Sequence, residues 1–422
     1  MEETKKFHER IGLEGVNPIL PNELRLDALN ILAHTAFPTT RTEAWKYTRT
    51  TKISNSTFAF NTSQAIQSVE EYKIEGLQGS VIVFVNGFFN AALSDIQAEE
   101  GVTIRPLSTV GAEWLKENVN QKLQVEGEVF NALNNYYTTD GIAIEIGKKI
   151  NAANSIQIIA ISTGLNTLTS TRNIIISHEN SDAHITFNYV GNQSDTNFTN
   201  TITEIYVKDN ASLTIDKIQN EGVNDYHISS EIITQHKDSR FTLFTGTFSG
   251  AIVRNNVFVH VEGENAETNL YGTYLLNGKQ VVDNHTTVDH KVPNCYSNEL
   301  YKGVLNDQST GVFNGKVFVR QDAQKINAFQ SNANVLLSDN ATMNSKPELE
   351  IYADDVKCSH GSTTGQIDEE AIYYLRARGI SEKSAKNLMI NGFIGDVTEK
   401  IKSEAVSTKI SDLVSEKLGY TF

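Results

Sequence analysis

The sequence is poor in the features that mark secreted and membrane proteins. Only two of its 422 residues are cysteines, Cys295 and Cys358, and these cannot form a disulfide framework. The first residues, Met-Glu-Glu-Thr-Lys-Lys, are not followed by the apolar segment of a signal peptide. No run approaches the ~18 apolar residues of a membrane-spanning helix. We therefore expect a cytoplasmic protein.

Positive charge is also scarce. The chain has 36 Lys and Arg against 51 Asp and Glu, a formal net charge of −15. Nucleic acids and anionic membranes are bound by basic patches, so neither is expected as the main partner. Hydrophobic residues make up 39% of the chain, which is enough for a sizeable core in one to three domains.

The common catalytic and nucleotide-binding motifs are missing. The nearest approach to a phosphate-binding loop spans residues 272–280, but Gly278-Lys279 is followed by Gln280 where Ser or Thr is required. The sequence has no Gly-x-Gly-x-x-Gly, His-Glu-x-x-His, Gly-x-Ser-x-Gly or Cys-x-x-Cys pattern. We expect a protein that is not an enzyme and does not bind ATP itself.

With only six prolines and no low-complexity linker, domain boundaries must be inferred from changes in periodicity. Residues 1–75 read as a mainly helical region, with an apolar face between Pro21 and Pro38. Residues 367–422 read as a second helical region, in which Asp368 caps the first helix, Gly379 ends it and Ser381 can cap the next helix.

Residues 76–366 carry alternating apolar and polar residues and a repeated turn. The spacings between successive turns are 28, 28, 27, 29, 28 and 33 residues. Strands at a near-constant period, without helices between them, predict a parallel β-helix, or solenoid. An ordinary β-sandwich with accidental spacing is the alternative. The turns begin at Asp182, Asn210, Asp238, Asn265, Asn294, Asp322 and Asp355.

Counting from these turns predicts a column of side chains that changes character along the solenoid. Positions +3 and +5 share one face of a strand because side chains alternate. They are Ile185/Phe187, Leu213/Ile215, Phe241/Leu243 and Thr268/Leu270 early on, then Ser297/Glu299, Lys325/Asn327 and Cys358/His360. We expect an apolar column that becomes polar and ionisable near its C-terminal end. A slip of register would instead place these groups in solvent.

Cys358 and His360 form the most chemically distinctive pair. Two residues apart on a strand, they point the same way and offer a thiolate and an imidazole to one metal ion or persulfide. Two ligands are too few for a cluster, so a partner chain or small molecules must supply the rest. A purely structural role for both residues is the alternative.

Several segments resemble the SufB/SufD family of iron–sulfur cluster assembly proteins. The pattern Arg41-x-Glu43-x-Trp45-Lys46-Tyr47 is similar to the N-terminal motif of the SufD branch. SufB-type chains carry a different string around Cys358 and a further cysteine in the preceding coil. The other resembling segments are Phe313–Gln324, Asn327–Ser338, Ala353–Thr363, Asp368–Glu370 and Tyr373–Ile380.

The resemblance implies a right-handed parallel β-helix between helical ends, in a complex with SufB and two copies of the ABC-type ATPase SufC. It implies that the C-terminal helices dock SufC and that the last coils meet SufB. His360 would lie at that interface as a ligand of a nascent iron–sulfur cluster, with Cys358 beside it, and ATP would bind only to SufC. The family is also linked to a reduced flavin, although no flavin-binding motif is visible.

Two other functions stay open from the sequence. The chain could be a purely structural subunit in which Cys358 and His360 do no chemistry. It could also be a β-helix carbohydrate-active enzyme, but such enzymes need a carboxylate cluster in an external groove, and none stands out. Because the last strand of a solenoid leaves an unpaired edge, we also expect the isolated chain to form a homodimer.

Overall fold

Eight α-helices lie at the two ends and in the first third of the part of the chain that the structure describes. The structure is a computed structural model and describes residues 2–11, 17–63, 66–191 and 196–419. Short 3₁₀ turns occupy Glu43–Trp45, Glu70–Tyr72 and Leu107–Thr109. The helices are α1 Glu2–Arg10, α2 Asn22–His34, α3 Thr51–Asn55, α4 Ala112–Asn118, α5 Val129–Tyr137, α6 Glu369–Ala377, α7 Glu382–Thr398 and α8 Glu404–Lys417.

The strands between these helices form two sheets. They are β1 Gly79–Val85, β2 Phe88–Phe89, β3 Val102–Pro106, β4 Ile142–Ile146, β5 Ser155–Ser162, β6 Leu168–Ser177, β7 Asp182–Gly191, β8 Phe198–Val207, β9 Ser212–Asn220, β10 Tyr226–Gln235, β11 Arg240–Thr247, β12 Ile252–Val261, β13 Glu267–Leu276, β14 Val281–His290, β15 Tyr296–Leu305, β16 Thr310–Val319, β17 Ile326–Leu336, β18 Thr342–Ile351 and β19 Val356–Gln366.

From β4 onward, successive strands alternate between the two sheets, which makes the protein a β-solenoid. One sheet has the order β19-β17-β15-β13-β11-β9-β7-β5-β1-β2, and the other has β18-β16-β14-β12-β10-β8-β6-β4-β3. All neighbouring strands from β4 onward pair in parallel, and antiparallel pairs join β1 to β2 and β3 to β4. The predicted parallel solenoid with flanking helices is confirmed, and its right-handed sense stays a prediction.

The turns that enter the first sheet follow from residue chemistry. Asn180, Asn210, Asp238, Asn265 and Asn294 all have φ between 56° and 63°. Asn and Asp tolerate this left-handed conformation better than other residues with a side chain. The side chains also stack, since the Asn210 amide donates to Asn180 Oδ1 at 2.9 Å and the Asn265 amide to Asp238 Oδ1 at 3.0 Å. The repeated turn is therefore real.

Two of the predicted turn positions are wrong. Asp182 is the first residue of β7, and the residue that takes the left-handed conformation is Asn180. Asp322 likewise precedes the true turn residue, Lys325, whose φ is 58°. The turn before β17 is longer than the others, so counting from Asp322 displaces the register by three residues.

The solenoid interior has an apolar side and a polar side. Branched and aromatic residues from both sheets fill the apolar side, and removing them from water drives the coils together. On the polar side, Lys217 Nζ donates to Glu231 Oε1 at 2.6 Å and to Asn255 Oδ1 at 3.0 Å. Arg172 and Glu204 form a second ion pair, at 2.7 Å, on the outer face beneath the N-terminal segments. All of these groups are buried and paired.

The helical ends cover opposite outer faces of the solenoid. Helices α7 and α8 pack Ile390, Ile394, Ile410 and Val414 against the first sheet. Asp368, Ser381 and Ser403 cap the three C-terminal helices, with each side chain accepting a backbone N–H. The caps predicted at Asp368 and Ser381 and the stop at Gly379, whose φ is 89°, are confirmed.

The N-terminal helices pack an aromatic cluster against the second sheet. Phe7, Leu32, Trp45 and Phe130 form one buried cluster with Phe198 and other outward residues of β6, β8, β10 and β12. Helices α4 and α5 lie within residues 76–150, which the sequence assigned to the solenoid. The divisions at residues 75 and 366 stay predictions, and residues 1, 12–16, 64–65 and 420–422 of the two end regions lie outside the described residues. No described helix is long and apolar enough to cross a membrane.

Candidate functional site at the last coil

The solenoid ends in two strands that each have one neighbour among the described residues. Strand β19 is the last strand of the first sheet and pairs only with β17, whereas β18 ends the second sheet and pairs only with β16. The residues of β18 are half-buried or exposed, and most of those of β19 are exposed. The coil therefore presents both backbone edges and its interior side chains at one open end.

Cys358 and His360 lie on the interior face at this open end. Cys358 pairs in register with Ala328, and His360 pairs with Gln330. Ala328 and Gln330 are buried inside the solenoid, whereas Cys358 is half-buried and His360 is exposed. Both predicted ligands thus face the interior side of the last coil, where no further coil among the described residues covers them.

The predicted change along the interior column is confirmed at its key positions. Going toward the open end, Ile185, Ile215, Leu243 and Leu270 are followed by Glu299, Gln330 and His360, all in strand register. Glu299 is only 1% exposed. Its carboxylate accepts hydrogen bonds from the Thr286 hydroxyl and, at 3.1 Å, from the Gln330 amide. The column therefore ends in three polar side chains, the last of them at the open end.

The prediction that Lys325 contributes to this column is wrong. Lys325 is exposed in the turn before β17, and Asn327 points outward from that strand. The interior positions of β17 are instead Ala328 and Gln330, because the longer turn shifts the strand by three residues relative to the repeat count. Glu299, the other polar contributor proposed from the sequence, is inside the solenoid as predicted.

The two cysteines have different environments. Cys295 is buried, its Sγ donates to the carbonyl oxygens of Gly263 and Pro293, and burial raises its pKa to about 11. Burial also raises the pKa of Cys358, against a smaller opposite effect of a backbone hydrogen bond at Ala328. Cys295 is thus a packing residue, and Cys358 needs a bound cation or a nearby positive charge to become a thiolate.

Sequence analysis missed three polar residues near the open end. The Ser362 hydroxyl donates to Ser345 Oγ at 2.7 Å, joining β19 to β18 across the interior. Gln330 was missed because its turn was misplaced, and a count that allowed longer turns would have found it. Ser345 gives no signal in sequence, since the repeat was read only in the first sheet.

The donor set at the open end is incomplete. Among the residues that the structure describes, no three His, Cys, Asp or Glu side chains lie close enough together to hold a metal ion. Cysteine and histidine are nevertheless the side chains that bind iron in iron–sulfur clusters. The pair fits part of such a site, and the open edges leave room for a second chain to complete it.

These features define a class of protein: a β-solenoid subunit with an incomplete ligand pair at an unpaired end. Models of two regions match nearly the whole chain, the SufBD core domain of the SUF iron–sulfur cluster assembly system at residues 160–393 and the SufBD N-terminal region at residues 9–158. The chain belongs to the SufBD family of iron–sulfur cluster assembly proteins.

Several curated proteins are similar to the chain over most of its length. An iron–sulfur cluster assembly SufBD family protein of Synechocystis is 29% identical over 98% of this chain and 95% of its own. The iron–sulfur cluster assembly protein SufD of Escherichia coli is 28% identical over 92% and 91%. SufD of Bacillus subtilis is 25% identical over 78% and 76%.

Proposed function

We propose that this chain is a non-catalytic, SufD-like scaffold subunit on which iron–sulfur clusters are assembled together with a SufB-like chain and a SufC-like ATPase. The observation that carries the proposal is the open last coil. An interior column that is apolar through the body of the solenoid ends there in Gln330 and His360, beside Cys358 and two unpaired strand edges. This open end is where a partner chain can add strands and contribute further ligands.

The SufB-like partner is proposed to pair with the edges of β18 and β19. Exposed edges carry unpaired N–H and C=O groups that a second chain can satisfy by extending both sheets. Such pairing would bring the partner's side chains next to Cys358 and His360, completing the donor set. In isolation the same edges favour a homodimer, which a partner chain would replace.

The SufC-like ATPase is proposed to dock on the C-terminal helices. Two aromatic side chains of α6, Tyr373 and Tyr374, are 74% and 57% exposed, and Leu388 of α7 is exposed nearby in sequence. Exposed aromatic residues are costly in water and frequent in interfaces. ATP binding by the partner would then change the state of the open end through α7, which packs on the first sheet.

In this proposal His360 is a ligand of the nascent cluster and Cys358 an auxiliary thiol. The cluster is the cargo of the complex, so the chain needs donors that hold it temporarily. Because burial raises the pKa of Cys358, its thiol stays protonated until a nearby metal ion displaces the proton. Partial exposure and incomplete coordination both suit a site that must also release its cargo.

The test is His360→Ala in the assembled complex, compared with Ser359→Ala. Ser359 is exposed and points to the opposite face of the same strand, so it controls for disturbance of β19. We expect cluster yield in cells to fall strongly for His360→Ala and to be unchanged for Ser359→Ala. Unchanged yield for both variants would favour the purely structural subunit.

A further inference from the structure

We propose that the side-chain oxygen of Gln330 positions the imidazole of His360 by accepting a hydrogen bond from its ring N–H, which leaves the other ring nitrogen free to bind the cluster. The inference rests on the proposed ligand role of His360 and identifies the residue that prepares that ligand. Gln330 would be a positioning residue that does not touch the cluster.

The strand register places the three side chains in a line. Glu299, Gln330 and His360 are direct partners on adjacent strands β15, β17 and β19 and share the interior face. Adjacent strands are ~4.8 Å apart, so each side chain can reach only its immediate neighbours in the column. Gln330 therefore lies between a buried carboxylate and the imidazole.

Glu299 determines which way the Gln330 amide faces. Above pH 7 the Glu299 carboxyl is mainly ionised and only accepts hydrogen bonds, so the amide turns its NH₂ group toward it. The Gln330 Nε2 does so, donating to Glu299 Oε1 at 3.1 Å. This hydrogen bond fixes the orientation of the Gln330 amide, so its carbonyl oxygen points away from Glu299.

That carbonyl oxygen is buried and accepts no hydrogen bond within the described part of the chain. Gln330 is 3% exposed, and Oε1 is among the few buried polar side-chain atoms without a partner. Buried acceptors are almost always satisfied, so an orphan of this kind needs a donor that a small side-chain movement can supply. On the open side of Gln330, the strand that pairs with β17 in register and can supply such a donor is β19.

The neighbours of Gln330 on β19 leave His360 as the donor. The Ser362 hydroxyl donates to Ser345 and is already used. The Cys358 thiol is a weak donor. The imidazole of His360 is the direct register partner, and its ring N–H is the strongest donor within reach.

Such a contact has a chemical consequence for the ligand. A neutral imidazole carries one N–H and one lone pair, and the hydrogen bond made by one nitrogen decides which nitrogen can bind metal. Metal-binding histidines commonly donate their other N–H to a carbonyl or carboxylate. Gln330 would provide that acceptor and would hold the ring pointing out of the solenoid.

The test reads the His360 tautomer in the isolated full chain by ¹⁵N NMR of the histidine rings. The chain has ten histidines, so His360 is assigned by the signal lost in His360→Ala. The main variant is Gln330→Met, which keeps the length and removes the amide. The control is Asn327→Met, on the exposed face of the same strand.

We expect one dominant His360 tautomer in the wild type and in Asn327→Met, and the averaged shifts of a free imidazole in Gln330→Met. If Gln330→Met fails to fold, Gln330→Asn is used, since its amide is one methylene too short to reach both neighbours. Averaged His360 shifts in the wild type, or identical shifts in wild type and variant, would overturn the inference.

The same variants separate this inference from the proposed function. In the assembled complex we expect Gln330→Met to weaken cluster retention by about tenfold or more. A fixed tautomer together with normal cluster yield in His360→Ala would refute the ligand role alone. Averaged shifts together with lost yield in His360→Ala would refute the role of Gln330 alone.

Discussion

The guanidinium of Arg254 lies 3.8 Å from the centroid of the Trp45 ring, and this contact fastens the N-terminal region to the solenoid. The same guanidinium donates to Asp283 Oδ2 at 2.6 Å and to the carbonyl oxygen of Ala44 at 2.7 Å. Asp283 also accepts from the Thr48 hydroxyl at 2.5 Å. The tryptophan motif noted in the sequence is therefore a packing motif in this chain.

Replacing Trp45 with leucine should loosen the N-terminal region. The change removes aromatic area from a buried cluster and leaves Arg254 without its stacking partner, a loss of about 3 kcal/mol. We expect a lower midpoint of thermal unfolding and faster proteolysis of residues 37–63. Tyr47→Leu, two residues away and exposed, is the control and should change neither. Equal effects of both variants would contradict the role given to Trp45.

The stability of the chain should depend on the protonation of Glu299. Burial raises its pKa to about 7 from an ordinary value of 4.5. The folded state therefore binds the proton more tightly than the unfolded state. The stabilising contribution is complete below pH 4.5 and is lost as the pH rises through about 7, up to about 3 kcal/mol in total.

Glu299→Gln, which stays neutral, should be more stable than the wild type at pH 8 and similar to it at pH 5. The measurement is the thermal unfolding midpoint of both proteins at the two pH values. The control is Glu23→Gln on the surface of α2, whose effect should not change with pH. If the unfolding midpoint of the wild type instead rises above that of Glu299→Gln as the pH increases, the ionised carboxylate of Glu299 stabilises the fold and the prediction is wrong.

The buried pair of Lys217 and Glu231 should show strong coupling. Burial lowers the pKa of Lys217, and Glu231 opposes that shift. Lys217→Met leaves an unpaired buried carboxylate and should cost about 3–5 kcal/mol. Adding Glu231→Leu removes that charge and should recover part of the loss. The coupling is measured by a double-mutant cycle, in which the free energy of unfolding is determined for the wild type, Lys217→Met, Glu231→Leu and the double variant. If the losses of the two single variants simply add up in the double variant, the pair does not interact.

The exposed aromatic face of α6 should matter for binding and not for folding. Tyr373→Ala and Tyr374→Ala remove apolar area that already faces solvent, so the unfolding midpoint should stay the same. Co-purification of the ATPase should fall at least tenfold for the double variant. Leu26→Ala, which removes a side chain 65% exposed on α2, is the control and should bind normally. Unchanged recovery would place the docking surface elsewhere.

Much of this architecture could be predicted because each repeat contains a turn residue, Asn or Asp, that favours the left-handed backbone conformation. Asn210, Asp238, Asn265 and Asn294 each take the left-handed conformation that begins a strand of the first sheet. The same spacing correctly placed Glu299, Cys358 and His360 on the interior face. The helix caps at Asp368 and Ser381 also follow from local sequence alone.

The errors have a common physical origin. Lys325 takes the left-handed conformation before β17, and this turn could not be predicted because lysine, unlike Asn, Asp or Gly, does not favour that conformation. Lys325 was therefore placed inside the solenoid, and Gln330 was overlooked. The polar side of the interior, including Lys217 and Glu231, was missed because it depends on pairing between the two sheets, which a single-strand repeat does not show.

Affinity purification tests the central claim most directly. The claim is that the chain is a scaffold subunit with partners at its open end and at its C-terminal helices. The full chain is tagged and recovered from its native cells, and ATPase activity is measured in what is recovered. We predict a SufB-like chain and an ABC-type ATPase in the eluate, with ATP hydrolysis due to the latter. Recovery of the chain alone and monodisperse would contradict the account.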